Sequence, residues 1–553
     1  MRESSKWGGR RASTSRLVAV AVVFGLMATG CGGSGSDEQS STTSTTLPSG
    51  ITTQNLEGDA DATPVEGGRL IFGLEAETDG WNTTQNRWAL SGHMVGSSIF
   101  DPLATIDASG ETVPYLAESL TANDDFTEWT ITVKPGVTFH DGKPLTSADV
   151  KATFDGHLAS LITSYAVLAI DTVEVVDDRT VTLTMNEPWV SFPYTLTTQI
   201  GYVMQADQVA NPEAATTPIG TGPFMFDEWT PNEELKVTKY DSYWQPGKPY
   251  LGSIDWRPIP DAQERADALL AGEVDAINTL SPLDIVDFRG EEVKMVEYAA
   301  GEEAFVTLNT QQPPFDRREA RLALAYATDI DRYIEETGKS AVVVAAKGPF
   351  AEGDVGYRTD NGYAAYDLEK AKQYVADYTA ATGQPLSFEY KGSANLNELQ
   401  GQQTLQAMWE EAGIDVIPKS VPQESQILDA ALGNYQAIEF RNFGALDPDG
   451  EVVWWHSRSV GEPGAISLNF PRFGNDTVDQ ALIDARGSTD PAVRDEAYAL
   501  VARTLNEESP YVWLERVNWA IVANMDVYGI GAAQNGSLST LASKTWLTDL
   551  WIG

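Results

Sequence analysis

The chain has 553 residues, of which 42% are hydrophobic, and its 80 acidic against 37 basic residues give a formal charge of −43. So negative a surface argues against nucleic acid as a partner, because binding to phosphates relies on lysine and arginine. Cys31 is the only cysteine, which excludes a framework of disulfides. The acidity itself fits a solvated surface or a salt-adapted host better than an acidic binding site.

Residues 1–30 predict a signal for export. Five basic residues precede or border Leu17 to Thr29, an apolar stretch of 13 residues that is too short to span a bilayer. A charged start, a short apolar core and then small residues form a secretory signal. Its end, Ala28-Thr29-Gly30-Cys31, resembles a lipoprotein signal, so we expect lipid on Cys31. The pair Arg10-Arg11 leaves both the general secretory and the twin-arginine route open.

Residues 31–65 predict a disordered tether that follows the lipidated cysteine. The segment is rich in Gly, Ser, Thr and acidic residues, and no Lys or Arg lies between Arg16 and Arg69. Such a composition cannot form a core. We therefore expect an extracytoplasmic protein, anchored by lipid to the outer face of the cell membrane, whose formal charge after removal of residues 1–30 is −47.

Short alternating strands open the body, which begins near residue 66. Apolar alternation predicts strands at Leu70 to Phe72 and Trp129 to Val133, and the runs Val173 to Val176 and Val181 to Met185 predict a hairpin. Thr146, with an acid three residues later, predicts the capping box of a helix.

Helices dominate after residue 310. One is predicted from Arg318 to Glu336, a second after a cap at Asp367, and a third from Leu396 to Ala412, before a strand at Ile414 to Ile417. Asp490, followed by proline at the first helical position, opens a fourth. Interleaved strands and helices indicate an α/β body of two or three domains.

The usual catalytic motifs are absent from the sequence. The four histidines show no metal-ligand spacing, and there is no nucleophile elbow, phosphate-binding loop or dinucleotide fingerprint. We therefore predict no enzyme, no catalytic residue, no metal and no cofactor. A hydrolase with paired carboxylates stays open as an alternative, because with 80 acidic residues a pair has no diagnostic value.

A colinear series of segments resembles the family 5 extracellular solute-binding proteins, the oligopeptide- and dipeptide-binding components of ABC importers. The resemblance spans about residues 66 to 525. The segments that carry it are Val113 to Leu120, Trp129 to Val133, Gly136 to Val150, Pro218 to Phe224, Tyr243-Trp244, Ala268 to Asp275, Leu308 to Thr310, Pro313 to Asp316 and Arg321 to Asp331.

The resemblance implies a bilobal periplasmic-binding-protein-like fold with an extra inserted domain and a hinged cleft. Lobe I is expected from residues 66–103, 199–305 and 520–553, with 104–198 as the inserted domain and 306–519 as lobe II. The chain would cross between the lobes near Phe305 to Leu308 and near Asn518 to Ile521. Closure of such a hinge buries a ligand between the lobes.

In this family the ligand lies against a loop after the first strand and a loop of the second lobe. The first loop maps to Arg87, Trp88, Ala89 and Leu90, whose backbone could align with an extended ligand. Core packing is an equal alternative for Trp88.

The second loop maps to residues 441–449, followed by Trp454. The candidate ligand-binding residues there are Arg441, Phe443, Leu446, Asp447 and Trp454. In peptide binders an Asp of this loop pairs with the peptide amine, but that position holds Leu446 here. Either the loop is shifted by one residue and Asp447 takes the amine, or the amine anchor is lost. The second case favours another solute, such as a saccharide stacked on Phe443 and Trp454.

The sequence therefore predicts a monomeric binding lipoprotein that captures a peptide or similar solute and delivers it to ABC permease subunits. Three alternatives remain: a carrier of a non-peptide solute, a lipid-anchored hydrolase, and a lipoprotein that senses a ligand without import.

Overall fold

The computed structural model describes residues 51–86, 88–107, 110–394, 396–442, 445–462, 464–531 and 546–553. The predicted signal, Cys31 and residues 31–50 of the predicted tether lie outside these residues. The prediction of disorder is wrong for the end of the tether, because Ile51–Gln54 form a strand that pairs with Met295 to Tyr298. None of the helices in this part of the chain has the length and apolar character that crossing a membrane requires.

Twenty strands, numbered in chain order, belong to four sheets. They are β1 Ile51–Gln54, β2 Arg69–Leu74, β3 Ala104–Ile106, β4 Thr112–Pro114, β5 Ala117–Ala122, β6 Glu128–Val133, β7 Ile170–Asp177, β8 Thr180–Met185, β9 Phe224–Thr230, β10 Glu234–Lys239, β11 Ser253–Pro258, β12 Ala276–Thr279, β13 Lys294–Leu308, β14 Val344–Ala345, β15 Ser387–Ser393, β16 Asp415–Val421, β17 Ala437–Arg441, β18 Tyr511–Ala523, β19 Val527–Tyr528 and β20 Trp551–Ile552.

The described helices cover the faces of the sheets. They are α1 Leu90–Ile99, α2 Ser147–Ala159, α3 Phe192–Thr195, α4 Ala206–Val209, α5 Ala262–Leu270, α6 Pro282–Phe288, α7 Arg318–Ala327, α8 Ile330–Glu336, α9 Leu368–Thr382, α10 Leu396–Glu411, α11 Gln423–Leu432, α12 Val452–Trp455, α13 Asp476–Arg486 and α14 Pro491–Glu508.

A twelve-stranded mixed sheet runs through the body in the order β16-β15-β17-β13-β18-β12-β2-β11-β10-β9, with β1 paired to β13 and β14 to β18. The half around β2 and β9–β12 is called lobe I below, and the half around β15–β17 lobe II. The long strands β13 and β18 belong to both halves. Every residue of β18 is buried, including Glu515, Arg516 and Asn518, because the strand lies in the middle of the sheet between β13 and β12.

The pairing of β13 with β18 shows where the chain passes between the lobes. The register breaks between Tyr298 and Glu302, and β17 of lobe II pairs with Ala304 to Leu308. On β18, β12 of lobe I pairs with Ala520 to Ala523. The predicted crossings near Phe305 to Leu308 and near Asn518 to Ile521 lie on these two strands and stay predictions.

A separate four-stranded antiparallel sheet, β5-β6-β8-β7, packs with α2 around its own core, which includes Trp129, Phe154 and Leu183. This unit is called the inserted domain below. The hairpin predicted at Val173 to Met185 is confirmed as β7 and β8, and the capping box at Thr146 is confirmed at the start of α2.

The single helix predicted from Arg318 to Glu336 is wrong, because the chain forms two helices there. The Thr328 hydroxyl donates to the Leu324 carbonyl at 2.8 Å and ends α7. The Asp329 side chain accepts from a backbone N–H at the start of α8 and caps it. The caps predicted at Asp367 and Asp490 are confirmed for α9 and α14.

One hydrophobic cluster extends under both lobes. It joins Leu269, Ile277 and Phe288 of lobe I to Leu324 and Trp409 beside lobe II, all of them buried. The lobes therefore share a core on one face of the sheet.

Candidate functional site

Arg441 lies at the junction of the lobes, at the end of β17. Its Nη2 atom is 3.6 Å from Glu75 Oε1 in lobe I, and its Nε atom is 3.3 Å from Glu302 Oε2 on β13. The guanidinium lies 5.6 Å from the ring centroid of Trp519. Although it contacts two carboxylates, Arg441 makes no hydrogen bond of good geometry to a described residue. This predicted site residue thus stands between the two lobes.

The topology explains how these groups meet. Glu75 follows the carboxyl end of β2, which pairs in parallel with β11 and β12. In open α/β sheets, ligands bind in the crevice outside the carboxyl ends of such strands. Glu302 follows the register break of β13, and Ala304 pairs with Arg441 across the strands.

Two further buried acids extend the cluster. Glu303 accepts a hydrogen bond from Arg516 at 3.1 Å, and Glu451 is 5% exposed. Together with Glu75 and Glu302 they make four carboxylates against the two guanidinium groups of Arg441 and Arg516.

Burial shifts the titration of these acids. Loss of solvation raises the pKa of Glu302 to about 7, against the opposing effect of Arg441. Burial also raises the pKa values of Glu303 and Glu451. The junction therefore carries an excess of acidic groups in a poorly solvated place.

Asn278, near the end of β12, lies beside Glu75. Its Oδ1 accepts a hydrogen bond from the backbone N–H of Glu75 at 3.3 Å. Its Nδ2 is buried and has no hydrogen-bond partner among the described residues. Glu302 Oε2 faces Arg441 Nε at 3.3 Å. Sequence reasoning missed Glu75, Glu302 and Asn278. The one available signal was Glu302-Glu303, two adjacent acids followed by the apolar run Ala304 to Val306.

The predicted first loop lies against the core of lobe I. Trp88 is 1% exposed, and its Nε1 donates to the Gly80 carbonyl at 2.9 Å. Leu90 is buried as the first residue of α1, and the exposed Ala89 precedes it as the cap. Arg87 lies outside the described residues. The Trp88 ring therefore packs in the core of lobe I, as the alternative interpretation expected.

In the second predicted loop, Asp447 and Leu446 form hydrogen bonds to other residues of the protein. Both carboxylate oxygens of Asp447 accept from Arg494 Nη2 at 2.7 Å. Leu446 is 59% exposed, and its N–H donates to the Tyr194 hydroxyl of the inserted-domain segment at 3.0 Å. Trp454 is 4% exposed and packs in the core of lobe II. Phe443 lies outside the described residues.

A buried ionic contact joins lobe II to the inserted domain. Asp449 Oδ2 accepts from Trp189 Nε1 at 2.7 Å and from Ser191 Oγ at 2.8 Å, and Oδ1 accepts from Arg486 Nε at 2.8 Å. Arg486 also lies 3.6 Å from Glu187. These five residues are called the Asp449 clasp below. The side chain of Asp449 is only 2% exposed, so the clasp is a desolvated contact between two parts of the body.

No group of three or more His, Cys, Asp or Glu side chains in the described ranges is arranged to hold a metal ion.

Known proteins resemble the chain over most of its length. The glutathione-binding protein GsiB of Pectobacterium atrosepticum is 26% identical over 435 residues, covering 76% of this chain and 83% of the relative. The solved structure of the PBP AgaA from A.tumefacien R10 in complex with agropinic acid has a TM-score of 0.78 at 25% identity, covering 88% of this chain and 99% of its own.

The periplasmic binding protein DppA from Helicobacter pylori, associated with an ABC transporter and solved with the peptide STSA, shares the fold. Its TM-score is 0.79 at 22% identity, and the match covers 88% of this chain and 98% of DppA. This agreement confirms the predicted bilobal architecture.

The family model for bacterial extracellular solute-binding proteins, family 5 Middle, matches residues 111–463. That range is more than half of the chain and includes every segment that carried the resemblance. Solute-binding proteins of this family serve ABC importers. The chain belongs to the bacterial extracellular solute-binding proteins of family 5.

Proposed function

We propose that this protein captures a peptide or a solute of similar size between its lobes and delivers it to the permease of an ABC importer. The observation that carries the proposal is Arg441 of lobe II, which lies against Glu75 of lobe I and Glu302 of the connecting strand β13 and has no hydrogen bond to a described residue. A polar, poorly solvated junction with unused hydrogen-bonding capacity is the kind of site that a polar solute completes.

The domain division supports this mode of capture. We propose lobe I at residues 66–103, 199–305 and 520–553, the inserted domain at 104–198 and lobe II at 306–519. The long strands β13 and β18 are the connections between the lobes, and the register break before Glu302 is a natural place for bending. Opening would part Arg441 from Glu75, which are 3.6 Å apart in this structure.

The anchor belongs to the same proposal. Lipid on Cys31 would hold the protein at the outer face of the cell membrane, with residues 31–50 as a tether that ends where β1 joins the sheet. The protein would act as a monomer and would bind its solute without converting it. Lipid chains contribute roughly 0.8 kcal/mol per buried methylene, so several chains anchor a protein firmly.

A non-peptide solute is the second candidate. It is favoured by Leu446 at the position of the expected amine-binding Asp, and by Asp447, whose carboxylate is committed to Arg494. GsiB and AgaA, whose names and structure refer to glutathione and agropinic acid, show that relatives differ in their solutes.

Native mass spectrometry of the protein as purified tests the proposal, because a closed cleft retains its ligand. A ladder of retained peptides supports the first candidate, and a single non-peptide mass supports the second. Steady conversion of an added substrate would refute binding without catalysis.

A further inference from the structure

We infer that a small cavity in lobe I is a site for one uncharged oxygen atom, that of a hydroxyl or a carbonyl group. Trp81, Trp256 and Ser91 recognise this oxygen. It is an oxygen of the captured solute, so the inference rests on the proposed capture between the lobes. It adds a chemical group that the solute carries and the residues that select it.

The cavity opens at the carboxyl ends of β2 and β11. These strands pair in parallel and finish side by side at Leu74 and Pro258, which both line the cavity. Ala76 and Pro258 are half-buried lining residues and mark its mouth, and Glu75, next to Ala76, lies 3.6 Å from Arg441. Ligands of open α/β sheets bind outside strand ends of this kind. The mouth therefore borders the junction of the lobes.

Three buried polar groups line the cavity without a hydrogen-bond partner. Trp81, Trp256 and Ser91 are each 1% exposed. The Nε1 atoms of both tryptophans and the Oγ atom of the serine make no hydrogen bond to a described residue. A buried donor that bonds to nothing costs free energy. Because the surrounding chain supplies no acceptor, the acceptor must come from a group that enters the cavity.

A second cavity, beside lobe II, provides a contrast. Among its lining residues, Trp513 Nε1 donates to Asn506 Oδ1 at 2.8 Å, and Ser509 Oγ donates to the Asn506 carbonyl at 2.8 Å. No lining residue of that cavity has a buried polar atom without a partner in the described chain. Unpartnered atoms occur elsewhere in the protein, but the cavity in lobe I brings three of them together.

The charges around the cavity favour an uncharged group. None of the described residues that line it is basic, and the acid Glu77 has both oxygens engaged. They accept from Trp229 Nε1 and from the Asn232 backbone N–H, each at 2.7 Å. The negative charge of Glu77 repels an anion, and indole N–H groups cannot accept a hydrogen bond from an ammonium group. These groups therefore select an uncharged acceptor.

The size of the cavity limits its occupant to a single oxygen. The centre of a water molecule fits in about 10 Å³ of the cavity, which is roughly the space that one water requires. A hydroxyl or carbonyl oxygen fills that space while the rest of its molecule lies in the mouth. Because such an oxygen reproduces the hydrogen bonds of a water, it can displace a water without loss of affinity.

The 15 tryptophans allow a direct test on the full-length chain. Protein labelled with nitrogen-15 at the indole is titrated, by NMR, with acetamide, acetate and ethylammonium, three probes of similar size and different charge. Trp81→Phe and Trp256→Phe assign the two resonances. We expect acetamide to shift both indole signals, and acetate and ethylammonium to leave them in place. The signal of Trp129, whose Nε1 already donates to the Trp189 carbonyl at 3.0 Å, should not respond to any probe.

Variants connect the cavity to the captured solute. The solute that copurifies is removed by unfolding and refolding, and it is then titrated back by calorimetry. Trp256→Phe and Ser91→Ala each remove one hydrogen-bonding group, and each should weaken binding about fivefold, the usual loss for an uncharged hydrogen bond. Trp129→Phe is the matched control, because it removes an indole from the core of the inserted domain and should leave binding unchanged.

The results distinguish this inference from the proposed capture. Indole signals that respond to none of the probes would show that water is the only occupant and overturn the oxygen site, as would equal shifts with acetate or ethylammonium. Unchanged solute affinity in both variants would overturn the role of the cavity while capture stands. Protein that retains no solute, but whose two indole signals still shift with acetamide, would overturn capture and support the oxygen site.

Discussion

The Asp449 clasp should hold the closed form of the protein. Asp449 and Arg486 belong to the proposed lobe II, whereas Trp189, Ser191 and Glu187 belong to the inserted domain. The inserted domain is fixed to lobe I by contacts such as the 2.8 Å hydrogen bond from Tyr240 to the Phe139 carbonyl. Parting the lobes must therefore break the clasp.

Asp449→Asn keeps the shape of the side chain and removes its charge. The substitution leaves Arg486 buried, and of its two ionic partners in the described part of the chain Glu187 remains, at 3.6 Å. Removing one partner of a buried ion pair costs about 3 kcal/mol or more. If that cost falls on the closed form alone, the ratio of closed to open molecules drops about 100-fold.

Small-angle X-ray scattering measures the change as an increase in the radius of gyration of the variant, and a faster loss of retained solute accompanies it. Asp495→Asn is the control, because Asp495 pairs with Arg358 inside lobe II, at 2.6 Å, in a more exposed position. If the variant scatters like the wild type and only its thermal midpoint falls, the clasp is a static contact and the reasoning is refuted.

Three further predictions concern stability and anchoring. Burial raises the pKa of Asp101 from 3.8 to about 7, so the folded state keeps a proton that the unfolded chain releases, and the free energy of unfolding falls as the pH rises through that window. Asp101→Asn should flatten this dependence in urea titrations, and an unchanged slope would contradict it. Gly96→Ala would place a methyl group 2.4 Å from the Trp88 ring and should cost about 1–3 kcal/mol in chemical denaturation, unlike Gly474→Ala, whose methyl group meets its nearest atom at 3.6 Å. Cys31→Ser should abolish labelling by palmitate and release the protein from the membrane fraction, and continued labelling would exclude this anchor.

Sequence signals within a few residues of each other predicted the helices and strands better than they predicted the residues of the candidate site. The capping residues Thr146, Asp367 and Asp490 lie where the sequence placed them, because a cap depends on residues within one turn of the helix. The break at Asp329 was missed because it depends on a competing cap inside an apolar repeat.

The site depends on contacts that the sequence does not show. Arg441 was predicted from the resemblance, but its partners Glu75 and Glu302 lie 366 and 139 residues away along the chain. Trp88 and Asp447 have residue types that suit a ligand. In the structure, however, Trp88 is buried in the core and the Asp447 carboxylate accepts hydrogen bonds from Arg494. The partners of a buried polar side chain depend on which strands pair, and the sequence alone does not show that pairing.

The hydrophobic cluster that runs beneath both lobes bears on how the protein unfolds. Because Ile277 and Phe288 share a core with Leu324 and Trp409, neither lobe can bury its apolar surface alone. A fragment that ends at residue 305 would expose that surface and lose the β18 partner of β13. The two lobes should therefore melt in a single cooperative transition, and the motion that admits a solute must bend this common core without splitting it.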